Sequence, residues 1–171
     1  HVDALHILSF EKKQRFDDGG EELLSELLKK GIAWHPVIFS SKFGSFGKLY
    51  DLMKMYLFSF QLTQKYKIQL VHSRGHVAAQ IGIFLKTCFG IKLIFDCRGL
   101  WVDERVNKGG WDLSRWLDRQ QYQIFKSIEK AIISRADKII VLTEAVVDEI
   151  VRIGQRGAED IVIIPCCADF Q

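Results

Sequence analysis

Five charged residues crowd into ten positions where the apolar run Ile91 to Phe95 ends, in Phe95-Asp96-Cys97-Arg98-Gly99-Leu100-Trp101-Val102-Asp103-Glu104-Arg105. The guanidinium of Arg98 can hold a phosphate or a hydroxyl in fixed geometry. Asp96, Asp103 and Glu104 can accept hydrogen bonds from hydroxyls or act as bases. Gly99 lets the backbone approach a ligand closely. Trp101, with Trp111 and Trp116 nearby, offers a flat apolar face for stacking, although core packing is the favoured role of Trp116. The competing explanation is a loop tied down by ion pairs, Asp96 with Arg98 and Glu104 with Arg105.

Three other turns carry reactive side chains. His72-Ser73-Arg74-Gly75-His76 follows the apolar pair Leu70-Val71 and precedes a helical pattern. Backbone N–H groups at that helix start, with Ser73 and two imidazoles, can receive an anion or a polyol. Leu142-Thr143-Glu144 is a further strand-to-helix turn, which a Thr143 N-cap accounts for. In Ile164-Pro165-Cys166-Cys167-Ala168-Asp169 no His or cation lies near in sequence to activate a thiol. The four cysteines, Cys88, Cys97, Cys166 and Cys167, have neither C-x-x-C pairing nor zinc spacing, and read as reduced, mostly buried thiols. There is no P-loop and no G-x-G-x-x-G.

The elements that must position these turns alternate along the chain. Strands are predicted at Leu5 to Phe10, Ala33 to Phe39, Leu70 to Ser73, Ile91 to Phe95, Lys138 to Leu142 and Ile161 to Ile164. Pro36 marks a bend or an edge in the second of these. Helices are predicted at Glu21 to Lys30, Leu49 to Tyr66, Val77 to Phe89, Asp112 to Arg135 and Glu144 to Ile153, from apolar residues at helical spacing. Asp112 and Ser114 are candidate N-caps. Alternation of this kind predicts an α/β fold: a Rossmann-like parallel sheet with helices on both faces and right-handed crossovers. Ligands then bind at the carboxyl ends of the strands, where all four turns lie. No repeat or linker divides the chain, so one domain is expected.

Composition narrows the class. Lys and Arg are interleaved with Asp and Glu and the net charge is only +3. The basic stripe that nucleic-acid binding needs is missing. No stretch reaches the ~18 apolar residues of a membrane span, and no signal peptide is visible, which predicts a cytoplasmic protein. The helix Leu49 to Tyr66 is basic and apolar enough to touch a membrane peripherally, although packing on a sheet is its favoured role. The chain opens at His1 without a Met, which predicts a true start further upstream.

These turns, in this order, resemble the N-terminal domain of glycosyltransferase family 4, retaining enzymes of GT-B fold. Ala136-Asp137-Lys138-Ile139-Ile140-Val141-Leu142-Thr143-Glu144, followed by Val162-Ile163-Ile164-Pro165-Cys166-Cys167-Ala168-Asp169, is similar to that family's "AD.ii.vSe … vIPNGVD" signature. The resemblance covers nearly the whole chain. It implies two Rossmann-like domains facing a cleft, the N-terminal one holding the acceptor. The C-terminal one holds the nucleotide-sugar, with a paired-glutamate motif and basic residues for the diphosphate. The chain ends at Asp169-Phe170-Gln171, where the interdomain segment is expected, so the donor half would lie beyond it. The family's first strand and glycine loop would precede His1, and their lack would expose a sheet edge or groove. Two departures stand out. Many members carry Thr-x-His where this chain has Asp96-Cys97-Arg98, so Arg98 replaces the His. Their Asn-Gly is Cys166-Cys167 here.

The resemblance implies an acceptor-binding half of a retaining enzyme that moves a sugar from a nucleotide-sugar to a glycan or lipid-linked hydroxyl, in polysaccharide or cell-envelope synthesis. The leaving diphosphate would help deprotonate the acceptor, so no cofactor and no metal are expected, and the fragment alone would be inactive. Arg98, Asp96 and Glu104 would act at the reaction centre. His72, Ser73, Arg74, His76, Gly99, Trp101 and Asp103 would bind acceptor, and Thr143, Glu144, Cys166 and Asp169 would line the cleft. The rival is a stand-alone α/β module that binds a sugar or an anion without catalysis. A small hydrolase is a weaker third option, because no nucleophile elbow supports it.

Overall fold

A computed structural model describes residues 4–40 and 44–166. It forms two compact units that meet in sequence between Leu62 and Thr63. In the first, strands β1 (Leu5–Glu11) and β2 (Ile32–Ile38) pair in parallel, with Leu8 opposite His35 and Ser9 opposite Pro36. Pro36 sits on a strand whose one partner among the described strands is β1, so its missing N–H breaks no ladder there. Helices α1 (Lys13–Asp17) and α2 (Gly20–Lys29) connect the strands. The leucines at 23, 24, 27 and 28 give α2 its amphipathic pattern. Helix α3 (Gly44–Tyr66) follows; Asp51 on it accepts the Ser40 N–H at 3.0 Å with both carboxylate oxygens.

The second unit holds the four-stranded parallel sheet β3 (Leu70–Arg74), β4 (Lys92–Cys97), β5 (Lys138–Val141) and β6 (Ile161–Ile163), in that order. Residues in register share a face. Ser73, Phe95 and Ile139 align, as do Cys97 and Val141. Leu93, Phe95, Cys97, Ile139 and Val141 meet Ala79 of α4 (His76–Phe89), Ile132 and Ile133 of α6 (Trp116–Arg135), and Ile150 of α7 (Val147–Gly154) in the core. Burying each such aliphatic or aromatic side chain contributes about 1.5–3 kcal/mol. His72, Arg74, Ile94 and Asp96 lie on the other face. The expected α/β architecture, parallel sheets flanked by helices, is what the chain forms.

Helix α4 crosses β3 and β4 closely because Gly82 has no side chain. A Cβ there would stand 2.5 Å from Leu93 Cδ1 and 2.7 Å from Ser73 Oγ. We expect Gly82→Ala to destabilise the chain by about 1–3 kcal/mol through overpacking, read as a lower urea midpoint at unchanged m-value. An unchanged midpoint would show that the helix can shift at no cost.

Several boundaries differ from the sequence pattern. Residues 101–107, read as loop, form helix α5 (Trp101–Asn107). Helix α6 begins at Trp116 rather than Asp112. Asp112 instead accepts the Ser114 N–H at 3.0 Å and hydroxyl at 2.7 Å in a turn ahead of it. Local side-chain bonding of this kind competes with helix. Thr143 precedes a 3-10 turn (Glu144–Val146) and makes no capping hydrogen bond. Trp116 is 63% exposed, whereas Trp111 is buried, so the core role falls to Trp111. Of the thiols described, Cys97 is buried but Cys88 and Cys166 are exposed, contrary to the expectation of mostly buried cysteines. Among the described residues no helix is long and apolar enough to cross a membrane.

Candidate functional site

A cavity of about 340 Å³ opens at the carboxyl ends of β3 and β4, lined by His76, Gln80, Arg98, Gly99, Trp101 and Glu104 among others. Its floor is built by two glycine turns. Gly75 takes φ +80° between β3 and α4, and its N–H bonds the Asp96 carbonyl at 3.1 Å, closing the strand ends together. Gly99 takes φ +153° between β4 and α5, and a side chain there would run into the Glu104 carboxylate. Both conformations favour glycine.

Arg98 leaves the end of β4 and folds back on Asp96. Its Nη2 donates to Asp96 Oδ2 at 3.0 Å, while Nε stands 3.0 Å from Oδ1. The second contact is close in charge but badly aligned, since Oδ1 has no well-formed hydrogen bond. Arg98 Nη1 reaches Cys166 Sγ at 3.1 Å. The hydrogen bond to Asp96 is the chief reason the guanidinium is held charged more firmly than usual. Asp96 is buried and also has His72 Nε2 at 3.8 Å. It therefore stands paired with Arg98 rather than free. Of the two ion pairs weighed as a bland explanation, Asp96–Arg98 forms. Glu104 instead meets Lys108 at 2.9 Å, and Arg105 lies over the rings of Trp111 and Trp101 at 4.9 and 5.7 Å.

The aromatic wall is continuous. Trp101 packs edge-on to Phe125 at 5.2 Å and Trp111 at 5.6 Å, and tilts over His76 at 6.3 Å. His76 in turn meets the edge of Phe95 at 5.4 Å. A half-exposed indole beside an imidazole and a guanidinium suits a ligand with both an apolar face and hydroxyl or phosphate groups.

The other sequence candidates are placed as follows. Ser73 is buried under α4 beside Gly82, on the sheet face away from His72 and Asp96. Arg74 is exposed at the end of β3. Asp103 turns toward α6, accepting from Tyr122 Oη at 3.0 Å and Lys126 Nζ at 2.7 Å. Thr143 and Glu144 follow β5 and are not among the cavity residues. Cys166 joins the site through Arg98. Asp169 and Cys167 lie outside the described residues. Burial pushes the Cys97 thiol up to about 11, which removes it as a nucleophile.

Three participants were not singled out from sequence. Gln80 and Phe125 line the cavity. Glu129 is fully buried, with Lys126 Nζ at 2.7 Å and His76 Nε2 at 3.2 Å. Its signal was available: a carboxylate inside the helical apolar stripe of Phe125, Ile128 and Ile132. Among the described residues no group of three His, Cys, Asp or Glu side chains could hold a metal ion.

Known proteins share this fold. The chain resembles the structure of the Anabaena protein Alr3699/HepE in complex with UDP and glucose at 14% identity and a TM-score of 0.51, over 94% of this chain and 44% of that one. It also resembles a glycosyltransferase from Rickettsia africae ESF-5 at 13% identity and a TM-score of 0.50, over 96% and 43% respectively. At such identity the likeness is one of fold, half of a GT-B glycosyltransferase, and the chain spans less than half the length of either protein. No curated protein sequence matches it. Residues 33–167 match the glycosyl transferase 4-like domain, and since that match takes in most of the sequence, the chain belongs to that family.

Proposed function

We propose that this chain is the acceptor-side half of a retaining glycosyltransferase, which moves a sugar from a nucleotide-sugar to a hydroxyl of a glycan or lipid-linked acceptor. The observation that carries this reading is the cavity itself: an indole, an imidazole, a guanidinium and a carboxylate converge at the strand ends of a glycosyltransferase-family domain. Trp101 would stack on the acceptor, and Arg98, oriented by Asp96, would hold a hydroxyl or phosphate oxygen. Glu104, more exposed and within reach of the same space, would accept from a second hydroxyl. The chain supplies no nucleophile of its own in this scheme. It contributes placement of the acceptor and a fixed positive charge, and needs no metal or cofactor. The working place would be the cytoplasm, with any membrane contact peripheral, in polysaccharide or cell-envelope synthesis.

The test is an assay of the full-length protein with a panel of nucleotide-sugars and hydroxylated acceptors, read as nucleoside diphosphate release dependent on acceptor. Acceptor-dependent release is the expected result. Saturable sugar or anion binding by the 171-residue chain, without turnover in the full-length protein, would favour a binding module instead.

A further inference from the structure

We propose that Glu129 is a positioning residue for His76, fixing which imidazole nitrogen is offered to the cavity; the proposal rests on the cavity being the acceptor site. Glu129 is completely buried on α6. A carboxylate in that position is costly unless it is paired and hydrogen-bonded. Its two oxygens have separate partners. Oε2 takes Lys126 Nζ at 2.7 Å, and Oε1 lies 3.2 Å from His76 Nε2. Burial alone would lower the Lys126 ammonium, but its hydrogen bonds to Asp103 and Glu129 outweigh that and hold it charged.

A carboxylate offers only acceptor oxygens. The hydrogen bond to the ring therefore requires Nε2 to be the donor. That choice fixes the tautomer of the neutral ring: Nε2 carries the hydrogen and Nδ1 keeps its lone pair. Among the described residues nothing hydrogen-bonds Nδ1, while His76 lines the cavity. Nδ1 is then the nitrogen able to accept the hydrogen of a ligand hydroxyl. Phe95 and Trp101 bracket the ring and hinder its rotation.

The same network ties His76 to the helix that carries Trp101. Lys126 bridges Glu129 and Asp103 of α5, and Tyr122 donates to Asp103 at 3.0 Å. A purely structural position inside the apolar stripe would be served as well by leucine. The buried carboxylate instead holds both the Lys126 ammonium and the imidazole.

Long-range 1H–15N correlation on the 15N-labelled chain, at a pH where the ring is neutral, reads the tautomer of His76 directly. We expect the Nε2–H form in the unmodified chain, a mixed population in Glu129→Leu, and the Nε2–H form regained in Glu129→Gln, whose amide oxygen still accepts. An Nδ1–H ring in the unmodified chain would overturn the proposal even if Glu129→Leu failed to fold. So would an unchanged tautomer in a folded Glu129→Leu. In the full-length protein, with UDP-glucose as probe, kcat should fall about tenfold in Glu129→Leu with KM little changed, and recover in Glu129→Gln. A fall in folded protein alone, with normal kcat per folded molecule, would reduce Glu129 to a packing role. If the tautomer behaves as stated but His76→Ala keeps full activity, the acceptor-site reading fails and the positioning of the ring stands.

Discussion

Replacing Asp137 by Ala should lower the stability of the chain by about 2–4 kcal/mol, since hydrogen bonds between charged and partly buried groups are lost and their partners left behind. The residue sits where α6 hands over to β5. Its Oδ2 accepts from Lys86 Nζ at 2.6 Å and from the Leu93 N–H at 2.8 Å, and its Oδ1 accepts from Lys92 Nζ at 3.1 Å. One carboxylate thus ties α4, the start of β4 and the entry to β5 together. Without it, the Leu93 N–H has no acceptor at the edge of the core, and two ammonium groups lose their shared anion. The expected fall in Tm is about 4–16 °C for a chain of this size. Urea denaturation of the variant beside the unmodified chain measures the effect, and equal midpoints would remove Asp137 from any structural role.

The same carboxylate predicts a pH dependence. Partial burial on its own would raise its pKa, but Lys86, the Leu93 N–H and Lys92 outweigh that and hold it at about 2, against an ordinary 3.8. A depressed folded-state pKa means stability that is fully present above the unfolded value and lost as pH falls through the folded one. The advantage of the unmodified chain over Asp137→Ala should therefore be constant near neutrality. It should shrink between about pH 4 and pH 2, and the two denaturation curves should converge at the acid end. A gap at pH 2 as large as that at neutrality would assign the effect to packing rather than charge.

In the full-length protein Arg98→Ala should cut turnover at least about tenfold, a loss of ~1.4 kcal/mol of transition-state stabilisation. The variant removes the cation from the cavity. It also leaves Asp96, 3% exposed, with no ion-pair partner among the described residues but the His72 ring at 3.8 Å. An unpaired buried carboxylate is destabilising in itself, so loss of activity in the single variant is ambiguous. The double variant Asp96→Asn, Arg98→Ala resolves it. Neutral Asn at 96 removes the stranded charge, so stability should return while turnover stays low. Recovery of turnover in the double variant would show that Arg98 serves only to neutralise Asp96. Full activity in the single variant would end the case for this residue.

Much of the fold was legible because its signals are local. Alternating apolar runs and helical stripes gave strands and helices close to those observed, and the parallel α/β architecture followed. The elements that went astray did so for identifiable reasons. Helix α5 is short, and its charged residues resemble those of a loop; Arg105 reaches Trp101 and Trp111, contacts that no periodicity encodes. Trp111 and Trp116 are equally apolar in sequence, and only packing against Phe125 (stacked at 5.5 Å) decides which is buried. The alternation predicted parallel pairing, but not that the described strands pair as a set of two and a set of four, since pairing partners are chosen over long separations.

The sequence by itself determined where the cavity would open: at charged and histidine-bearing turns that end apolar strands, with glycines at 75 and 99 where the backbone turns through positive φ. Composition and spacing were enough for that, because strand ends and glycine turns are properties of a few adjacent residues. Which partner each side chain has was decided by the tertiary structure alone. Asp96 is paired with Arg98, and Asp103 with Lys126 and Tyr122, partners that no local spacing announces. Glu129 stands 53 residues from His76 in the chain. A hydrogen bond across that separation leaves no local trace, because it exists only once α4 and α6 have packed on the same face of the sheet.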